Sequence, residues 1–239
     1  MSAIIGRTVE LRRLGSAIED PDCGIVMLRG PAGAGKTVLA EAALARVRAD
    51  GALTGSGKHA EGDAHSPYEP ILQALSEALG QALEQLYEPG PVAADLIQVL
   101  GPAAEVLRRA GFRGIAGAPP VAIGATGRRE SEVLLTEAVL KLVAWLKGFN
   151  LPIVLLIDDW RRSALESRAI LESIADEAGD LTLLLTERDE AAAHALAARP
   201  GARTFAIAGL ARDDRRTLLI RLLGEGGAAS RRSAGQWEG

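Results

Sequence analysis

The chain has 239 residues, of which 48% are hydrophobic and 24% are charged, a composition that excludes a disordered chain and a disulfide-stapled mini-protein. Its 27 lysines and arginines against 31 acidic residues give a net charge of −4, so no overall basic field favours nucleic acid or an anionic membrane. One cysteine, Cys23, cannot form an internal disulfide, and we expect a cytoplasmic protein. The longest aliphatic run, residues 151–157, is too short to span a bilayer, and no signal peptide is predicted.

Short apolar runs alternate with amphipathic stretches along the chain. The apolar runs predict strands over residues 24–29, 153–157, 181–186 and 204–207. Helical spacing of apolar residues predicts helices over 36–48, 70–86, 93–110, 130–147, 164–178, 190–198 and 212–223. Strands that alternate with helices and are apolar on both faces predict an α/β fold, in which helices flank a parallel sheet.

Two segments lack this pattern. Residues 111–129 combine several glycines with a Pro-Pro pair, which predicts an exposed connector. Residues 224–239 have no core-forming pattern and are predicted to be a flexible tail. The remaining residues, 1–223, are therefore predicted to form one domain.

A glycine-rich segment between the first predicted strand and the next helix fits the phosphate-binding pattern G-x-x-x-x-G-K-[ST] in full. Glycines let successive backbone N–H groups point at a polyphosphate, and the following helix directs its positive end to the same place. Lys36 would neutralise the β- and γ-phosphates of ATP, and Thr37 would bind Mg²⁺. The predicted nucleotide-binding residues of this segment are Gly30, Pro31, Ala32, Gly33, Ala34, Gly35, Lys36, Thr37 and Val38.

Acidic and polar side chains follow the next two aliphatic strands. We predict that Asp158 holds Mg²⁺, directly or through a water, and that Asp159 orients or deprotonates the attacking water. Thr186 and Arg188 should reach the same edge of the sheet, where a polar group can sense the γ-phosphate and an arginine can stabilise developing charge. The alternative is that Arg188 is a solvated turn residue paired with Asp189 or Glu190.

Together these residues resemble the AAA-like ATPase domain of the STAND class of signalling NTPases, the origin-recognition-like AAA domain of bacterial regulators. The opening motif of that family, which in relatives packs beside the adenine, is similar to Ile4, Ile5, Gly6 and Arg7. The Pro67-Tyr68 pair after a Gly-Lys strand, and the helix after Glu130, resemble the versions fused to serine/threonine kinase and histidine kinase modules. The resemblance covers residues 4–223 and implies a three-layer P-loop NTPase core.

The sequence departs from this family in two places. Relatives commonly carry a third acidic residue after the two aspartates, where this chain has Ala164. Nearby, Trp160, Arg161 and Arg162 favour the start of a solvated helix, with a cation-rich rim of the site as the alternative. Relatives also carry a helical or winged-helix lid after the core, for which few residues remain, and we expect the chain to be a fragment of a larger protein.

The motifs and the resemblance imply ATP and Mg²⁺ as cofactors. We expect a slowly hydrolysing nucleotide switch in a signalling or transcription regulator, with Lys36, Asp159 and Arg188 as catalytic residues and Thr37 and Asp158 as metal ligands. A nucleotide-binding scaffold without turnover and a P-loop kinase of small molecules stay open as alternatives. Self-association and regulatory protein partners also stay open, a membrane partner is not expected, and this segment does not indicate nucleic acid.

Overall fold

A parallel sheet forms the centre of the structure, a computed structural model that describes residues 4–58, 66–85, 89–115, 128–160, 165–177, 179–188, 195–221 and 223. Its strands are β1 (Ile25–Gly30), β2 (Leu53–Lys58), β3 (Ile153–Asp158), β4 (Leu181–Arg188) and β5 (Ala202–Ala206). They lie in the order β2-β3-β4-β1-β5, and every neighbouring pair is parallel. The predicted α/β fold with a parallel sheet is confirmed.

Helices cover both faces of this sheet. They are α1 (Thr8–Ile18), α2 (Lys36–Ala49), α3 (Glu69–Glu84), α4 (Pro89–Leu100), α5 (Pro102–Arg109), α6 (Arg128–Lys147), α7 (Leu165–Asp176) and α8 (residues 212–221). Alternate side chains of β1 enter two different cores, because successive residues of a strand point to opposite faces. Val26 packs with residues of α1 and α2, whereas Met27 packs with residues of α3, α6 and α7. The result is the three-layer arrangement that the resemblance implies.

The two central strands that carry the predicted carboxylates and polar residues are buried on both faces. All six residues of β3 are buried, as are the first seven residues of β4. This explains the aliphatic runs at residues 153–157 of β3 and 183–185 of β4, from which both strands were predictable. Their carboxyl ends meet at one edge of the sheet and position the site.

β2 was not predicted by apolar periodicity, because its centre reads Thr-Gly-Ser-Gly. The backbone of α3 lies so close to this strand that a Cβ at Gly55 would be 1.7 Å from the carbonyl oxygen of Ala74. The side chain of Gln81 on α3 accepts hydrogen bonds from the backbone N–H and the hydroxyl of Thr54, both at 3.0 Å. Glycine is therefore favoured by close packing, and α3 closes this edge of the sheet.

The helix predicted over residues 93–110 is two helices. Gly101 ends α4 with a φ of 52°, and Pro102 begins α5. Proline is favoured in the first turn of a helix because it lacks the N–H that would be unpaired there. The prediction of one helix was wrong because apolar spacing continues across this break.

The prediction of an exposed connector over residues 111–129 was also wrong for its first part. Phe112 and Ile115 are 3% and 4% exposed and belong to the larger core. Helix α6 begins at Arg128, two residues before the predicted start. Glycine-rich composition indicated a break in helical structure here, but it did not distinguish an exposed loop from a buried one.

Several predictions fall on residues outside the described ranges. These include most of the connector, most of the helix predicted over 190–198, and the predicted tail at 224–239. Within the predicted helix, Leu196–Ala198 form a single 3₁₀ turn. Across the described residues, no helix combines the length and the apolar character needed to cross a membrane.

Candidate functional site

The loop between β1 and α2 has the geometry of a phosphate cradle. Gly33 and Gly35 have φ angles of 74° and 86°, a left-handed conformation that residues with a Cβ rarely adopt. Gly35 is the N-cap of α2, and no side chain caps this helix end. The N–H groups of the first turn of α2 therefore keep the capacity to bind an anion, and the positive end of the helix dipole favours it.

The side chain of Lys36 curls back over this loop. Its Nζ donates hydrogen bonds to the carbonyl oxygens of Gly30 at 2.8 Å and Pro31 at 2.9 Å. The ammonium group thus lies against the loop itself, next to the space that the loop encloses. Among the neighbouring predicted residues, Ala32 is exposed and Ala34 is buried. Val38, in the first turn of α2, is 57% exposed.

Asp158 lies beside the phosphate loop, as its position at the end of β3 predicts. Its Oδ1 accepts hydrogen bonds from the hydroxyl groups of Thr37 at 2.9 Å and Thr186 at 2.5 Å. The residue is 5% exposed, and the Nζ of Lys58 lies 3.9 Å from its other carboxylate oxygen. Two hydroxyl groups and one ammonium group therefore compensate a nearly buried carboxylate.

Asp159 begins the turn that follows β3. It has a φ of 52°, which is unusual for a residue other than glycine. Its backbone N–H donates a hydrogen bond to the Thr186 hydroxyl at 2.8 Å. The Thr186 hydroxyl in turn donates one to the carboxylate of Asp158. Arg188 Nη2 lies 3.8 Å from Asp159 Oδ2. Arg188 is therefore an ion-pair partner of Asp159, at the edge of the sheet where it was predicted to lie.

A pocket of about 590 Å³ adjoins the phosphate loop on the side of α2 and α8. The amino-terminal motif, the phosphate loop and α2 supply part of its lining, and the segment after β5 supplies the rest. Its lining residues are Ile4, Ile5, Arg7, Gly33, Ala34, Gly35, Val38, Glu41, Ala42, Leu210, Leu218 and Arg221. A mostly apolar pocket next to a phosphate cradle has the position and size to hold a nucleoside.

Arg7 ties the amino-terminal motif to both walls of this pocket. Its guanidinium group is buried and donates to the carbonyl oxygen of Ala34 at 2.8 Å and to that of Ala208. It also pairs with Glu10 at 2.8 Å. Gly6 packs against α8, and a Cβ at this position would lie 2.4 Å from the carboxyl carbon of Asp214. The motif therefore has a structural role in joining the phosphate loop to the carboxyl-terminal helix.

The oxygen atoms of Thr37 and Asp158 suit a magnesium ion. Mg²⁺ prefers hard oxygen ligands and is commonly bound by one carboxylate together with hydroxyl, phosphate and water oxygens. These two side chains lie 2.9 Å apart at the mouth of the phosphate loop. The donor set therefore fits Mg²⁺ bound together with a nucleotide.

A family model described as an AAA ATPase domain matches residues 3–186 of the chain. The chain belongs to this family. The match of the AAA ATPase domain spans the amino-terminal motif, the phosphate loop, both aspartates and Thr186, and thus covers most of the site. No curated protein matches the chain. Membership in the AAA ATPase family implies nucleotide binding, and ATP and Mg²⁺ are the usual ligands of the family.

The structure of this AAA ATPase domain adds residues that the sequence analysis missed. Leu218 and Arg221 of α8 line the pocket, although helical spacing predicted only that the helix exists. Lys58 approaches Asp158 from the end of β2. Trp160 is 2% exposed and belongs to the larger core, so for this residue both interpretations, a solvated helix start and a rim of the site, were wrong. Arg161 and Arg162, to which the same interpretations applied, lie outside the described residues. A large aromatic residue directly after a buried strand was the signal that could have indicated burial.

Proposed function

We propose that this AAA ATPase domain binds ATP with Mg²⁺, hydrolyses it slowly, and acts as a nucleotide switch in a signalling or transcription regulator. The observation that carries the proposal is the hydrogen-bonded chain from Thr37 through Asp158 and Thr186 to the backbone of Asp159. It joins the phosphate loop to the two consecutive aspartates at the carboxyl end of β3. A site that merely bound phosphate would not need this connection to a second carboxylate.

Each side chain has a distinct part in the proposed reaction. The loop N–H groups and Lys36 bind the phosphates and stabilise the charge that develops on them. Thr37 and Asp158 hold the metal, which when bound neutralises charge on the β- and γ-phosphates. Asp159 orients water for in-line attack on the γ-phosphate, and Arg188 stabilises the transition state from the neighbouring end of β4.

The switch requires that ATP and ADP favour different arrangements of the protein. Asp159 and Arg188 form an ion pair 3.8 Å long, with Arg188 57% exposed at its side chain. A γ-phosphate carries negative charge that competes with Asp159 for this arginine. Its presence or loss would therefore change the position of Arg188 and of the segment after β4.

Assignment to the STAND subclass, and to regulators in particular, belongs to the same proposal. It is supported by the Pro67-Tyr68 pair, which lies at the start of α3 near the site. The hydroxyl of Ser167 on α7 donates to the carbonyl oxygen of Pro67 and joins the segment after the aspartates to α3. In the proposed organisation, residues 1–223 are the ATPase core and residues 224–239 are a tail.

Nucleotide binding is tested with Lys36→Ala. Loss of a charged hydrogen-bond donor to phosphate should weaken ATP binding at least about 10-fold, measured by fluorescence titration. Lys141→Ala, an exposed lysine on α6, is the matched control and should bind ATP normally. Equal affinity of the two variants and the wild type would refute the assignment of the phosphate loop.

Turnover is tested with Asp159→Asn. Removing the group that orients water should lower phosphate release about 100-fold while ATP binding is retained. Asp180→Asn, an exposed aspartate before β4, is the control. Hydrolysis at the wild-type rate in Asp159→Asn would show that another residue orients water.

The same assays separate the two alternative functions. A scaffold without turnover would show an ATP-dependent rise in melting temperature but no phosphate release from the wild type. A P-loop kinase would release ADP in proportion to an added acceptor, whereas a switch yields ADP and phosphate without one.

A further inference from the structure

Glu187 is a buried carboxylate that the proposed reaction does not use. It is the seventh residue of β4, lies between Thr186 and Arg188, and is 1% exposed. Burying a carboxylate among aliphatic side chains is unfavourable unless it is paired and hydrogen-bonded. Its contacts therefore indicate what the residue does.

The two oxygen atoms of Glu187 join both halves of the site. Oε1 accepts from Nε of Arg29, the residue directly before the first glycine of the phosphate loop. Oε2 accepts from the indole N–H of Trp160 at 3.2 Å, the residue directly after Asp159. One carboxylate thus bridges the end of β1 to the turn that carries the aspartates.

Trp160 is a fixed anchor for this turn. Its ring is 2% exposed within the larger core, and the guanidinium carbon of Arg168 on α7 lies 5.6 Å from the ring centroid. An aromatic ring held by core packing, by a cation and by a hydrogen bond has little freedom to move. The backbone next to it is constrained accordingly.

β4 holds the turn from both faces of the sheet. Thr186 binds Asp158 and the N–H of Asp159 on the face of α2, and Glu187 binds Trp160 on the opposite face. Consecutive strand residues point to opposite faces, so these two contacts act on different sides of the same turn. The left-handed φ of Asp159 is unfavourable and persists only where the surroundings determine it.

We propose that Glu187 is a positioning residue that fixes the turn bearing Asp159 relative to the phosphate loop, by bridging Arg29 and Trp160. The inference rests on the proposed function, because Asp159, whose position it concerns, is the residue proposed to orient water. It requires no contact between Glu187 and nucleotide. Loss of the bridge should therefore affect turnover and not the affinity for ATP.

The test compares the wild-type chain with Glu187→Gln and Trp160→Phe. Glu187→Gln keeps the side-chain shape but removes the charge that pairs with Arg29, and Trp160→Phe removes the indole N–H while keeping an aromatic ring. We expect kcat for phosphate release to fall at least about 10-fold in both, with the ATP dissociation constant within about 2-fold of wild type. Glu84→Gln, an exposed glutamate at the end of α3, should change neither.

A second measurement does not depend on nucleotide. Hydrogen exchange of the backbone amide of Asp159, measured without ATP, should be faster in both variants, because its hydrogen bond to Thr186 is less well held. Amide groups in the middle of α6 should exchange at the wild-type rate. Faster exchange both at Asp159 and in α6 would show a general loss of stability and would overturn the local positioning role of Glu187.

The outcomes distinguish this inference from the proposed function. If the wild type releases phosphate and the variants match it in kcat, or in the exchange rate of the Asp159 amide, the role of Glu187 is refuted. The proposed function is not affected by that result. A wild type that releases no phosphate overturns the proposed turnover, and exchange at Asp159 then decides whether Glu187 holds the turn. If Glu187→Gln does not fold, Trp160→Phe tests the same bridge from its other end.

Discussion

Thr186→Val is the most informative single substitution for the connection between the phosphate loop and the aspartates. Valine has nearly the same shape as threonine but has a methyl group where the hydroxyl was. The substitution removes the 2.5 Å hydrogen bond to Asp158 and leaves the N–H of Asp159 without its 2.8 Å acceptor. Because Thr186 is 1% exposed, water cannot readily replace either partner.

The expected loss of stability follows from these two contacts. A hydrogen bond to a charged group contributes about 1.5–3 kcal/mol, and an unsatisfied buried donor costs about 1–3 kcal/mol. The retained donor from Thr37 and the gain of an apolar methyl group offset part of this, so we expect a net loss of about 3 kcal/mol. For a chain of 239 residues this corresponds to a melting temperature lower by about 6–12 °C.

The assay is thermal unfolding without nucleotide, followed by circular dichroism. Thr186→Ser is the matched control, because it keeps the hydroxyl and loses one buried methyl group, at a cost of about 1 kcal/mol. Phosphate release should also fall in Thr186→Val, since Asp159 loses a backbone contact. If Thr186→Val melts at or above the temperature of Thr186→Ser, the hydroxyl does not join the two aspartates in the way described.

Two further predictions concern regions beside the site. Gly6→Ala should weaken ATP binding, because the new Cβ would lie 2.4 Å from the Asp214 carboxyl carbon and the φ of 69° disfavours alanine. Gly24→Ala is the control and should bind ATP normally, because a Cβ at Gly24 meets no atom within 4 Å. Equal titration curves for the two variants would contradict this. Hydrogen bonds from Arg108, the larger effect, and from Arg109 lower the pKa of Glu105 from 4.5 to about 2. The contribution of Glu105 to stability is therefore complete above pH 4.5 and is lost as the pH falls towards 2. The difference in melting temperature between wild type and Glu105→Gln should therefore shrink over that pH range, and a difference independent of pH would contradict the assigned contacts.

Local motifs allowed much of the fold and part of the site to be predicted. The phosphate loop was recognisable because its residues are contiguous, and β3 and β4 because burial on both faces favours short runs of aliphatic residues. Asp158 was predictable from its position at the end of such a run. Residues 30–37 and Asp158 then meet because parallel strands place their carboxyl ends at one edge of the sheet.

Contacts between distant parts of the chain were not predictable from these patterns. Glu187 was visible as a charged residue in an aliphatic strand, but its partner Arg29 lies 158 positions away in sequence. The glycines of β2 disfavour a strand by propensity, and only the close approach of α3 accounts for them. Leu218 is one apolar residue in a helical pattern, and the pocket that it lines exists only after α8 meets the amino-terminal motif.

The order of the strands also determines when the sheet can form during synthesis. β1 pairs only with β4 and β5 within the described sheet, and β4 begins 151 residues after β1 ends. At about 5–20 residues per second, the ribosome takes roughly 8–30 s to synthesise that interval. The apolar run from Ile25 to Leu28 therefore emerges long before the strands that will cover its edges, and a chaperone has this interval in which to bind it.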